Sequence, residues 1–188
     1  MTVRLVIFGR QGAGKGTQCL NIVNTYGVAH ISTGDMLRAA VTAGTEMGTK
    51  AKEVMDAGGL VGDEIINGIV AERLTEPDAE GPGFVLDGYP RTQPQAEALL
   101  NILAAADQSL DAVLNLDVPL EEVTARMKSR GREDDTDDAI ANRLALYEQE
   151  TRPVLDFFDA QGLLVTVDGL GSEEEVSCRL IAVINDQL

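Results

Sequence analysis

Gly9-Arg10-Gln11-Gly12-Ala13-Gly14-Lys15-Gly16-Thr17 is the stretch that decides the fold. Ahead of it stands Val3-Arg4-Leu5-Val6-Ile7-Phe8, an apolar run too short and too β-branched for a helix. Behind it, Cys19, Ile22, Val23 and Tyr26 fall on the i, i+3, i+4, i+7 stripe of an amphipathic helix. Strand, glycine-rich loop and helix in succession form the context of a phosphate-binding loop. Glycines let backbone N–H groups turn inward on an anion. The helix N-terminus adds its dipole, and Lys15 adds a full charge. The strict pattern G-x-x-x-x-G-K-[ST] is offset by one place, because Gly16 follows the lysine and Thr17 comes next. A turn that merely joined a strand to a helix would need neither four glycines nor a lysine.

Outward from this loop the chain alternates apolar runs with helical stripes. Val28–Ser32 reads as a second strand, with the single histidine, His30, as a structural residue near its end. Residues 33–60 are cut by Gly34, Gly44, Gly48, Gly58 and Gly59 into short helical pieces, which reads as a small helical insertion with hinges. Ile65, Ile66, Ile69, Val70 and Leu74 mark a firmer helix, with Asp63 as its expected N-cap. Phe84-Val85-Leu86-Asp87 reads as a third strand and Ala112–Asp117 as a fourth. Between them runs a helix carrying Ala96, Leu99, Leu100 and Leu103. A helix over 120–129 leads into a charged loop from Arg130 to Asp138. The next helix, striped by Ile140, Leu144 and Tyr147, is expected to bend or restart at Pro153. Leu163–Val167 reads as a fifth strand, and Ser172 as the cap of a last helix. Strands that are apolar throughout and alternate with helices predict an α/β fold, a five-stranded parallel sheet covered on both faces. Ligands of such sheets bind beyond the carboxyl ends of the strands. Gly9, Ser32, Asp87 and Asp117 fall there.

Composition narrows the function. A chain of 188 residues, 44% hydrophobic, can bury a full core as one domain. It has no apolar run long enough for a membrane span, and its N-terminus enters a strand without a signal-peptide layout. Cys19 and Cys178 are far apart in sequence, which suggests reduced thiols in a cytoplasmic protein. A net charge of −16 argues against a nucleic-acid partner. A phosphate binder with that charge must gather its few arginines locally.

Three further motifs stand at or near the strand ends. They are Ser32-Thr33-Gly34-Asp35-Met36-Leu37-Arg38, then Asp87-Gly88-Tyr89-Pro90-Arg91 followed by Gln95, and the arginine set Arg126, Arg130, Arg132 and Arg143. With these the chain resembles the adenylate kinase family along essentially its whole length. The resemblance implies a P-loop NTPase core of three α/β/α layers. The core spans 1–32, 62–128 and 136–188, the helical nucleoside monophosphate-binding (NMP-binding) insertion 33–61, and a short lid 129–135.

It further implies that Gly12, Ala13, Gly14, Lys15, Gly16 and Thr17 hold ATP phosphates, with Arg130 on the ATP side and Gly171 near the ATP base. Thr33 and Gln95 match residues that touch the adenine of AMP, and Arg38 and Arg91 match its phosphate ligands. Gly88, Tyr89, Pro90, Gly59, Leu60 and Val61 match the rest of the AMP side. Lys15, Arg91, Arg126, Arg132 and Arg143 match the groups that neutralise the moving phosphoryl, with Arg132 and Arg143 also on the AMP side. Asp87 is placed like the acid that holds Mg²⁺ through water, and the short lid leaves no room for a structural zinc. The implied partners are ATP, AMP and ADP, and a monomer is expected.

The absence of an apparent general base suits this chemistry. The attacking AMP oxygen is already anionic, so alignment and charge neutralisation suffice. The chain departs from the family pattern at Gln11, where proline is usual, and at Gly59, where several members carry lysine. UMP/CMP kinases share the loop and the Asp87–Arg91 motif, but tend to have alanine where Thr33 stands. A GTP-binding switch would need an N-K-x-D motif, which Asn115-Leu116-Asp117-Val118 does not match. A non-catalytic ATP-binding module would have little use for the second, AMP-side set of motifs.

Overall fold

The computed structural model describes residues 2–57, 59–130 and 136–188, with the backbone alone at 46, 47, 50 and 130. The strands are β1 (Val3–Phe8), β2 (Ala29–Ser32), β3 (Gly83–Asp87), β4 (Ala112–Asp117) and β5 (Leu164–Asp168). They form one sheet in the order β2-β3-β1-β4-β5, and every pairing is parallel. β1 is central because it is buried on both sides: Leu5 and Ile7 face one layer, Val6 and Phe8 the other.

On the first face, α1 (Lys15–Tyr26) and α10 (Glu173–Gln187) cover the sheet with Cys19, Ile22, Val176, Leu180 and Ile184. On the second, α4 (Asp63–Leu74), α6 (Gln93–Ala105) and α9 (Arg152–Asp159) supply Ile66, Val70, Leu99, Leu103, Val154 and Phe158. This double cover explains strands that read as unbroken apolar runs. The insertion contains α2 (Thr33–Thr42) and α3 (Glu46–Asp56), and α5 (Pro77–Glu80) is a single turn before β3. α7 (Leu120–Arg130) and α8 (Asp137–Leu146) flank the segment expected to form the lid.

Local chemistry sets the helix ends. Ser172 caps α10, as the sequence predicts, and forms a full capping box with Glu175. At α4 the expectation needs correcting. Gly62 is the N-cap and Asp63 the first helical residue, so the Asp63 carboxylate is free for a longer-range contact. Between α8 and α9 the helix widens into a π-turn, Tyr147–Thr151. Pro153 has no N–H to donate to the preceding turn and its ring crowds the carbonyl four residues back, so an α-helical ladder cannot run through. Among the described residues, no helix is long and apolar enough to cross a membrane.

After β3 the chain crosses β1 to reach β4. The strand order therefore reverses beside the β1 carboxyl end, where an open parallel sheet binds its ligand.

Candidate active site

The loop after β1 begins with a turn, in which Ala13 N donates to Arg10 O at 3.0 Å. Gln11 and Gly12 are its central residues, and Gly12 has φ +87°, the value a type II turn demands at its third position. Gly14 is the N-cap of α1 and no side chain caps that helix. Its first turn also carries no acid, whereas α2, α4 and α10 each carry at least one there. The free N–H groups of α1 are thus left for an anion. Lys15 folds across the loop, its Nζ donating to Gly9 O at 2.8 Å and Arg10 O at 3.2 Å.

These residues line a cavity of 410 Å³ at the strand ends. Gly12, Gly14, Lys15, Gly16 and Thr17 form one wall, and Arg38, Asp87, Gly88, Tyr89, Pro90 and Arg91 face them. Arg126 and Arg143 close the remaining sides with the π-turn residues Tyr147 and Thr151. Arg126 is held by Glu122 Oε1 at 2.7 Å on its own helix and reaches Ala13 O at 3.4 Å. Arg143 donates to Met55 O at 3.1 Å, and its neighbour Asn142 donates to Ala57 O at 2.7 Å, tying α8 to the end of the insertion.

Arg91 Nε donates to Gly88 O at 2.7 Å. Burial pulls the Arg91 pKa down and Asp87 opposes this, while nearby Arg143 and Arg38 add to the fall. A guanidinium nevertheless keeps its proton. The site therefore gathers like charges in a molecule with a large excess of acid, an arrangement that an anionic ligand relieves.

Asp87 ends β3 with its side chain 16% exposed. Burial alone would push its carboxyl up, but His30, 3.9 Å away, with Lys15 and Arg91 lowers it by more. Asp87 is thus an ionised oxygen donor in the cavity that Thr17 also lines, a hard donor set that fits Mg²⁺. Cys19 and His30 lie close behind it, all three ligand atoms being within 4.8 Å of one another. Burial and the Asp87 charge raise the Cys19 thiol well above its usual range, so it stays protonated beside the carboxylate. The sequence predicts a structural role for His30, and tertiary packing brings Asp87 to it.

A second, smaller cavity of 70 Å³ adjoins the first, and Arg38, Gly88, Arg91 and Arg143 serve both. Thr33, Gly59, Leu60, Val61 and Gln95, all expected on the AMP side, line it. Ser32 caps α2, with its hydroxyl accepting from Asp35 N, so Thr33 is not the cap. The Thr33 hydroxyl instead donates to Gly88 O at 3.0 Å and is 2% exposed. A Cβ at Gly88 would lie 3.0 Å from both Thr33 Oγ1 and Arg91 Nη2, so this glycine permits the close approach.

Among the described residues, two expected ones, Ala13 and Gly171, line neither cavity. At Gly171, a φ of +115° and the Glu175 carboxylate beside it account for a glycine there. The side chain of Arg130 and all of Arg132 lie outside the described residues, as does most of the segment 129–135 expected to form the lid.

Sequence reasoning missed four residues. Arg10 pairs with Glu148 at 2.6 Å and stacks over Tyr147, 5.7 Å from the ring centroid, pinning the π-turn to the phosphate loop. Asn142 secures the insertion, and Asp63 holds Gln95 at 2.6 Å. Asn67 accepts from the Tyr89 hydroxyl at 2.7 Å. None follows a local pattern that marks it out from the other polar residues of its segment.

Comparison with known proteins identifies the family. The family model described as "Adenylate kinase" matches residues 7–163. The adenylate kinase of Stenotrophomonas maltophilia strain K279a is 49% identical over 186 residues, covering 97% of this chain and 99% of that protein. That of Nocardia farcinica is 50% identical over 182 residues, with coverage of 97% and 99%. That of Methanosarcina barkeri is 43% identical over 212 residues, covering 97% and 98%. A phosphate loop, a second cavity and shared arginines thus stand on a chain that matches these proteins almost end to end, and it belongs to the adenylate kinase family.

Proposed function

We propose that this chain transfers the terminal phosphoryl group of Mg-ATP reversibly to AMP, giving two ADP. One observation carries the reading: two adjoining cavities share the walls formed by Arg38, Gly88, Arg91 and Arg143. A phosphate nest alone serves ATP binding or hydrolysis. A second pocket meeting it at common guanidiniums serves transfer between two phosphate chains.

In this reading Gly12–Thr17 and the α1 N-terminus hold the donor phosphates, and Lys15 neutralises the outer oxygens. Thr33, Gln95 and the 59–61 wall take the acceptor base, while Arg38 and Arg91 hold its phosphate. Arg126 and Arg143, with Arg130 and Arg132 of the lid, neutralise charge as the phosphoryl moves. Asp87, through water, and Thr17 would hold the Mg²⁺, which neutralises phosphate charge when it arrives with ATP. No general base is needed. Closure of the 33–61 insertion and the 129–135 lid over the core would exclude water, which would otherwise hydrolyse ATP. The same reading takes the chain as a monomer of the cytoplasm; two unpaired cysteines, one of them exposed, support the compartment.

The test is ADP formation by purified protein from Mg-ATP with AMP, dAMP, CMP, UMP and GMP supplied singly. AMP should be the preferred acceptor. Lys15→Met should keep its unfolding midpoint and lose on the order of 10²–10³ in kcat. ATP hydrolysis without transfer to any monophosphate would refute the proposal.

A further inference from the structure

Gln95 is 2% exposed, and both ends of its side-chain amide are engaged. Oε1 accepts from Arg91 N at 2.7 Å, and Nε2 donates to Asp63 Oδ1 at 2.6 Å. These partners cannot be exchanged, because a backbone N–H only donates and a carboxylate only accepts. The amide therefore has one orientation. Each end retains one further bond, an N–H on Nε2 and a lone pair on Oε1. Gln95 lines the smaller cavity. Thr33, on the same cavity, is constrained in the same sense. Its one hydroxyl proton goes to Gly88 O, so only lone pairs remain.

We infer that Asp63 is the specificity-determining residue of the acceptor site, locking Gln95 to read an amino group beside an unprotonated ring nitrogen. That is the pattern on the pairing edge of adenine. The inference rests on reading the smaller cavity as the base subsite. A base with a keto oxygen beside a ring N–H offers the inverse pattern. It would need Gln95 turned over, setting its NH₂ against Arg91 N–H and its oxygen against the Asp63 carboxylate. It would also need the Thr33 proton withdrawn from Gly88. Cytosine presents the same pattern as adenine, so this lock sorts amino from keto bases and leaves ring size to the cavity walls. Asp63 acts through Gln95 and is a positioning residue. Its other oxygen, 3.4 Å from Thr92 Oγ1, ties it to the N-cap of α6 and fixes it from a second side.

Inosine monophosphate is the matched probe, equal to AMP in ring size but with a keto oxygen at C6 and a proton on N1. With saturating Mg-ATP, kcat/KM is measured for AMP and inosine monophosphate on the wild type, Asp63→Asn and Asp63→Ala. KM for ATP and the unfolding midpoint are measured alongside. The wild type should favour AMP by roughly a hundredfold or more. Asp63→Asn, which can offer an N–H to a turned Gln95, should cut that ratio by roughly tenfold or more. Asp63→Ala should lower it in the same direction, and KM for ATP should not move. A ratio within about threefold of wild type in both variants overturns the inference. So does a parallel loss of both substrates, which a merely structural Asp63 would give. Should neither variant fold, calorimetric binding to the wild type decides: inosine monophosphate within about threefold of AMP overturns it. A wild type that phosphorylates no monophosphate overturns the proposed function as well, whereas an unchanged ratio in an active enzyme sinks only the role of Asp63.

Discussion

Replacing Gly12 by alanine tests whether the phosphate loop and α7 are one rigid unit. Gly12 sits at φ +87°, where a side chain costs about 1–2 kcal/mol. A Cβ there would lie 2.6 Å from Val123 O and 3.0 Å from Met127 Cγ. Val123 O belongs to α7, so backbone must move, and ordinary contact is about 0.8 Å further out. Overpacking of this kind costs about 1–3 kcal/mol. Together the two effects should destabilise the fold by about 3 kcal/mol, lowering the midpoint of a chain this size by roughly 6–12 °C. The shift also displaces the N–H groups that face the donor phosphates. A misplacement approaching 1 Å can cost about 10²-fold, so kcat/KM for ATP should fall by tens to about 10²-fold. AMP affinity should change little. Thermal unfolding and ADP formation at varied ATP measure both. Gly16→Ala is the control for stability, since nothing lies within 4 Å of its Cβ, and should raise the midpoint slightly. A Gly12→Ala protein melting within about 2 °C of wild type, with ATP kinetics intact, would refute the coupling.

Gln11 stands at the second position of its turn, where proline is favoured, so Gln11→Pro should change stability by about 1 kcal/mol or less in urea unfolding and leave nucleotide preference alone. Asn142→Ala removes the 2.7 Å bond to Ala57 O, and should raise KM for AMP roughly a few-fold while sparing KM for ATP. Burial pushes the Tyr89 phenol far up and Tyr147 to about 12. Both hold protons that the unfolded chain loses, so stability should be intact below about pH 10 and fall as pH rises towards 12. Tyr89→Phe should make that decline shallower in pH-dependent melting. Moderate NaCl should raise the unfolding midpoint by screening the −16 net charge and raise both nucleotide KM values by screening the arginines. A midpoint that falls steadily with salt would contradict the first half.

Much of this protein was legible in the chain alone, because the signals are local. Val3–Phe8 against Lys15–Tyr26 marks strand and helix by periodicity, and Gly9–Thr17 marks the anion loop by turn chemistry in one short stretch. Ser172 announces the last helix from the position just before it. The short range of such interactions is why the sequence sufficed for five strands, their layering and the loop's position. Tertiary structure alone decided the rest. Asp63 reads as a helix cap until packing brings it to Gln95, 32 residues away, and Arg10 meets Glu148 across 138 residues. His30 gains Asp87 only because β2 and β3 pair in register with Ser32 beside Asp87. A net charge of −16 called for the arginines of a phosphate binder to gather locally, without saying how the fold would do it. Arg38, Arg91, Arg126 and Arg143 come from four different segments, and their convergence exists only once the parallel sheet sets its strand ends on one side. A charge cluster of that kind is a property of distance in space, on which spacing along the chain carries no information.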